Sequence, residues 1–181
     1  MSAATPTHHH TQENAMAHAD IDPTSPPRRR IGAVVLVQDT TGRILLVQPK
    51  YKDGAWQLPG GGAHAGEPVA DAAARELAEE TGLRLRISHF LAVDHVPANP
   101  DTDSAEGFNF ICDGGTLTGP DADTATIPET ARHELTELRW VPLGQLGEHT
   151  QPYQERRIRA ALLAHHRSEA QPLLVHGNPV R

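Results

Sequence analysis

The stretch GGAHAGEPVADAAARELAEETGL, residues 61–83, constrains the fold more than any other part of the chain. A glycine-rich bend runs into an alanine-rich segment, Pro68 to Thr81, and Gly82 follows it. Proline suits a first helical position, where its missing N–H has no partner to lose. Alanine is the best helix former, and glycine ends helices by turning left-handed. The spacing therefore predicts one helix over 68–81. Glu76, Glu79 and Glu80 then crowd into an arc of about 100° on one face. Such carboxylates repel one another, and near a helix C-terminus they also oppose the dipole.

Two readings of this cluster stand at this point. Arg75 precedes Glu79 by four residues, Arg84 follows Glu80 by four, and Asp71 precedes Arg75 by four. Pairs at that spacing contribute about 0.2–0.5 kcal/mol each, enough to support a solvated acidic face. A bound hard cation is the other reading, since Mg²⁺ prefers carboxylate oxygens and water. Gly60, Gly61 and Gly62 just before the helix favour it, because a backbone without Cβ atoms can approach a ligand closely.

Around this stretch the chain reads as one α+β domain. Residues 1–28 are polar and nearly free of large apolar side chains, so a disordered tail is expected there. Its run His8, His9, His10 reads as solvated rather than as a folded metal site. Ile31–Val37 and Arg43–Gln48 read as strands joined by a turn at 38–42, together a hairpin. LRISHFLAVDH (85–95) and EGFNFICDG (106–114) read as further strands, with Leu85 and Ile87 alternating. Residues 113–133 read as a long acidic loop, Glu137–Leu143 as a late strand and Pro152–His166 as a helix. The domain is placed at 29–168, and the tail 169–181 is expected to pack loosely or not at all.

Composition removes several functional classes. A formal charge of −7 argues against binding a nucleic-acid polymer through its phosphates. The single cysteine, Cys112, excludes an intramolecular disulfide and is expected to be a small buried hydrophobe. No apolar run approaches a membrane span, so no membrane partner and a cytoplasmic location are expected.

The register of Gly61, Glu67, Arg75-Glu76-Leu77-Ala78-Glu79-Glu80-Thr81-Gly82 and Leu83 resembles the Nudix box, with every fixed position filled. Trp56-Gln57-Leu58-Pro59-Gly60 is similar to the family's usual lead-in, and Arg139–Leu143 to its late strand. The likeness spans roughly residues 30–166. It implies an α/β/α sandwich on a mixed β-sheet that hydrolyses nucleoside diphosphates linked to another moiety. It implies one to three divalent ions, Mg²⁺ or Mn²⁺, held by Glu76, Glu79 and Glu80, with the Gly60 carbonyl as an additional ligand. Arg75 would orient the carboxylates, Glu67 would brace the loop, and Gly61 and Gly82 would shape the motif. Water attacks phosphorus in line, with Glu79 as one candidate base. In many relatives a loop beyond the box supplies the base; Glu129, Glu134 and Glu137 qualify here, Glu134 first. Many members are homodimers, so a homodimer is compatible.

Other residues carry less. Trp56 is expected to pack against the box loop, and Cys112 lies in the wrong region for an isopentenyl-diphosphate isomerase. Phe108 and Phe110 alternate with Asn109, so one face of that strand is core and the other can reach substrate. His64 takes no role, and Arg156, Arg157 and Arg159 read as a solvated face. The rival to the enzyme is a non-catalytic nucleotide sensor on the same fold; such domains commonly lose box carboxylates, which this chain retains.

Overall fold

Aliphatic side chains run unbroken from Val34 to Val37, as a strand covered on both faces requires. The computed structural model describes residues 28–51, 54–102, 105–175 and 178–180, and places this run in β1, Arg30–Asp39. The Asp39 carboxylate then accepts the N–H groups of Thr41 and Arg43, each at 2.9 Å, which tightens the turn. The chain returns antiparallel as β2, Arg43–Pro49. The short β3, Gly60–Gly62, also lies antiparallel to β1. Helix α1, Val69–Thr81, follows, then β4, His89–Val96, and β5, Gly107–Leu117. A turn of helix α2, Gly119–Ala122, precedes β6, Leu135–Pro142. Helices α3, Leu146–His149, and α4, Pro152–His166, lead to three two-residue strands: β7, Gln171–Pro172, β8, Leu174–Val175, and β9, Asn178–Pro179.

The main sheet runs β6-β2-β1-β5-β4-β7, with β3 also on β1. It is mixed, because β1 and β5 are parallel while the other pairs are antiparallel. Alternation along β1 divides the core between two helices. Ala33, Val35 and Val37 pack on Ala70, Ala73 and Leu77 of α1, whereas Leu36 packs with Ile158, Ala161 and Leu162 of α4. The α+β domain expected from the residues, and the α/β/α sandwich implied by the family resemblance, are therefore the observed architecture.

Several local expectations shift. Strand β4 begins only at His89; Leu85 and Ile87 precede it as irregular chain, although Ile87 is buried in the α1 layer. Residues 113–133 are more ordered than a loop, since β5 continues to Leu117 and α2 follows. Pro68 is the residue before the first helical one, with ψ 145°, so it caps α1 from outside. The tail does pack: β7 pairs with β4, and the buried Leu173 joins the α1-side core together with Val180. Its ordering follows from burying apolar area that the sheet edge would otherwise leave wet. Trp56 is buried as expected, but in the α4 layer rather than against the box loop. Cys112 is fully buried, and burial pushes its thiol up to about 12. The expected disordered N-terminal tail, with His8–His10, falls on residues 1–27, outside the described ones. Among the described residues, no helix is long and apolar enough to cross a membrane.

Candidate active site

Helix α1 presents its glutamates at a fixed place because both of its sides are constrained. Its buried face, Ala70, Ala73 and Leu77, keys it to the sheet. Gly82 ends it at φ 72°, donating its N–H to the Ala78 carbonyl at 3.0 Å. Arg75, on the outward face, gathers the surrounding carboxylates. Its guanidinium donates to Glu67 through Nε at 2.8 Å and through a second nitrogen at 2.9 Å. It also reaches Glu76 at 2.9 Å, Glu79 at 3.1 Å and the Gly62 carbonyl at 3.1 Å. The ion pair with Asp71 that the spacing offered is replaced by this network, as a planar fork with five donors favours. Glu67 also accepts the His64 N–H at 2.8 Å, which ties the loop to the helix.

The three clustered glutamates differ in environment. Glu79 is exposed, Glu76 is half-buried beneath Arg75, and Glu80 is buried. Glu80 accepts the Gly60 N–H at 2.7 Å. Burial still pushes its carboxyl up to about 8, with Glu76, Glu134 and Glu79 adding repulsion. Burial likewise raises Glu76, against the pull of Arg75. In contrast, the Arg75 guanidinium, helped by the His64 N–H, holds Glu67 down to about 2. Arg75 itself is raised by Glu67 and its other partners, so it stays charged. Burial, more than like-charge repulsion, holds these two carboxyls above their ordinary range.

The donor set fits a divalent ion in kind: three carboxylates beside a bare backbone are hard oxygen ligands. Gly61 provides the space, since a Cβ there would lie 2.7 Å from the Glu76 carboxyl. As the side chains stand, no three acidic, histidine or cysteine groups among the described residues converge on one point. Arg75 draws Glu76 and Glu79 outward while Glu80 turns to Gly60.

Glu134 acts electrostatically on both Glu76 and Glu80, so the fold brings this distant loop residue to the cluster. It is exposed and lies 3.1 Å from His133. Glu129 pairs with Arg132, and Glu137 with Arg139. Beside Gly60–Gly62 opens a cavity of about 510 Å³, lined among others by Asn109, Asp94, Tyr51 and Tyr153. Arg157 lines it too and is buried, with its charge on Asp94; it is not part of a solvated face. Asp94 and Arg157 carried no local signal, because their pairing spans 63 residues.

Comparison with known proteins places this geometry in a family. The family model described as NUDIX domain matches residues 28–164, and the chain belongs to the Nudix family of hydrolases. A putative 8-oxo-dGTP diphosphatase of Bacillus subtilis is 38% identical over 127 residues, 70% of this chain and 76% of that protein. A CMP-5'-(N-acetyl-N-hydroxy-3-aminopropyl)phosphonate hydrolase of Streptomyces rubellomurinus is 33% identical over 64% of this chain, which spans about half (53%) of that relative's length. The crystal structure of a MutT protein from Methanosarcina mazei Go1 superposes with TM-score 0.60 at 21% identity, covering 80% of this chain and 99% of that one, a likeness of fold.

Proposed function

We propose that this Nudix pyrophosphohydrolase cleaves the pyrophosphate linkage of a nucleoside triphosphate or nucleoside diphosphate-linked substrate in a divalent-metal-dependent reaction. The observation that carries the reading is the Arg75 network, which gathers Glu67, Glu76 and Glu79 beside Gly62 at the rim of the cavity. The likeness to the putative 8-oxo-dGTP diphosphatase of Bacillus subtilis supports a nucleotide substrate.

Glu76, Glu79 and Glu80 would hold the ion, with the Gly60 carbonyl beside them. When bound, Mg²⁺ or Mn²⁺ supplies positive charge that offsets the diphosphate oxygens and acidifies water. Glu79, the most exposed of the three, orients or deprotonates the attacking water. Glu134 is the second candidate for that proton, standing close enough to raise Glu80. Arg75 keeps Glu76 and Glu79 in place, and Glu67 keeps Arg75 in place. The cavity receives the organic part of the substrate and turns its phosphates towards α1.

The test is a panel of nucleoside triphosphates and ADP-ribose, assayed for released phosphate species with Mg²⁺, Mn²⁺ or EDTA. Turnover is expected with metal and none with EDTA, and Glu79→Gln should lower kcat by about 10²–10⁴-fold. Full activity in a normally folded Glu79→Gln protein would remove Glu79 from the mechanism. Nucleotide binding without metal and without turnover would favour the sensor instead.

A further inference from the structure

Asn109 is buried, 8% exposed, yet part of its polar side chain has no partner among the described residues. Its Oδ1 accepts from the Arg30 guanidinium at 3.2 Å. That contact settles the amide's orientation, because a guanidinium has only donors and cannot face an NH₂ group. The Nδ2 group is therefore left as an unused donor in a residue that lines the cavity. Gly32, which pairs with Asn109 in the sheet, leaves the room its carboxamide occupies. Arg30, which holds the Asn109 oxygen, itself keeps a buried Nε without a partner among the described residues.

Asp94 is the direct cross-strand partner of Asn109 in the β4–β5 pair. Side chains so related share a face, with Cβ atoms about 4.5–5.5 Å apart. Asp94 is held in the same manner: its Oδ2 takes both Arg157 Nε at 2.7 Å and a second guanidinium nitrogen at 2.5 Å. Its Oδ1 has no hydrogen bond among the described residues, and Asp94 also lines the cavity. Each side chain thus has one oxygen occupied by an arginine and one polar atom left over. The leftovers are a donor on Asn109 and an acceptor on Asp94. Leu58, Val34 and the rings of Tyr51 and Tyr153 supply the apolar and flat surfaces around them.

We infer that Asn109 and Asp94, each immobilised by its arginine, form a donor–acceptor pair that reads the polar edge of a nucleobase. The complementary edge presents an acceptor beside an N–H, as the lactam or amidine edge of a base does. This rests on the hydrolase reading above and adds to it the residues that set specificity. Asn109 is the sharper reader, because Arg30 removes its freedom to flip and so to accept. Asn109→Asp keeps the size and the bond from Arg30 while replacing the donor by an acceptor. A base edge matched to the donor then meets an unpaired buried oxygen.

The experiment compares the full-length protein with Asn109→Asp and Asn109→Ala in Mg²⁺. The probes are dGTP, dATP, dCTP and TTP, with ribose 5-triphosphate as one that carries no base. Wild type is expected to prefer some bases over others. Both variants should lose about 10–100-fold in kcat/KM on the preferred nucleotide, and Asn109→Asp should reorder the four bases. On ribose 5-triphosphate both should stay within about threefold of wild type, which a merely structural defect would not allow. An unchanged order of bases in both variants, or an equal loss on the base-free probe, overturns the inference while leaving the hydrolase reading intact. If wild type hydrolyses none of the five, the triphosphate arm of the hydrolase reading falls and the inference falls with it, while turnover of ADP-ribose would leave the hydrolase reading standing.

Discussion

Two adjacent glycines separate the stability of this loop from its chemistry. At Gly61 an added Cβ would lie 2.7 Å from the Glu76 carboxyl carbon and 2.7 and 2.8 Å from its two oxygens. Gly61 lies outside the left-handed region, so alanine meets no backbone strain there. Ordinary contact begins near 3.4 Å, so the Glu76 carboxyl must retreat by about 0.7 Å. It is the end of a flexible side chain and can do so, at the expense of its 2.9 Å bond from Arg75. The expected loss of stability for Gly61→Ala is about 1 kcal/mol. Misplacing a catalytic group by about 1 Å costs about 100-fold, so kcat/KM should fall by roughly 10–100-fold. Gly60→Ala is the control. Gly60 sits at φ 136°, and a Cβ there would lie 2.6 Å from the Val34 Cα, in backbone that cannot move aside. Strain of that kind costs about 1–3 kcal/mol before the clash is counted. Urea denaturation and steady-state kinetics on both variants read the two effects apart. Wild-type kcat/KM in Gly61→Ala would refute the placement of Glu76 in the site.

Three other outcomes follow from burial and charge. Burial raises Glu80 from its ordinary 4.5 to about 8, so its contribution to stability is complete below 4.5 and is lost as pH rises towards 8. In EDTA the thermal midpoint should fall across that window, and Glu80→Gln should flatten the slope; an unchanged slope refutes the assignment. Leu77 is fully buried between α1 and the sheet, so Leu77→Ala should cost about 2–5 kcal/mol by urea denaturation. Ending the chain after Glu169 removes β7 and the buried Leu173, and should lower the melting temperature by several degrees, about 2–4 °C per kcal/mol lost. A melting temperature within one degree of wild type, by about the error of the measurement, would mean the tail adds nothing.

Legibility in the sequence depended on how far apart the interacting residues stand. Helix α4 occupies Pro152–His166 as the pattern predicted, because its signals, a leading proline and a spaced apolar stripe, are local. The start of β4 was misplaced because Leu85 and Ile87 alternate like a strand, whereas the partly buried Leu85 and the buried Ile87 pack in the α1 layer ahead of the strand. Glu134 was nominated by sequence, yet only the pairing of β2 with β6 carries its loop towards Glu80.

The sequence by itself determined the helix carrying Glu76, Glu79 and Glu80, its glycine stop, and the position of Arg75 and Glu67 around it. Those features are written within 23 residues, 61–83, where spacing along a helix fixes which side chains meet. Tertiary structure decided what faces the cavity beside Gly60–Gly62. Asn109 is set by Arg30 across 79 residues and Asp94 by Arg157 across 63, and both depend on sheet pairing that brings β1, β5, β4 and α4 together. The physical reason is that sheet register and helix docking are settled by the burial of the whole core, and no local stretch encodes them.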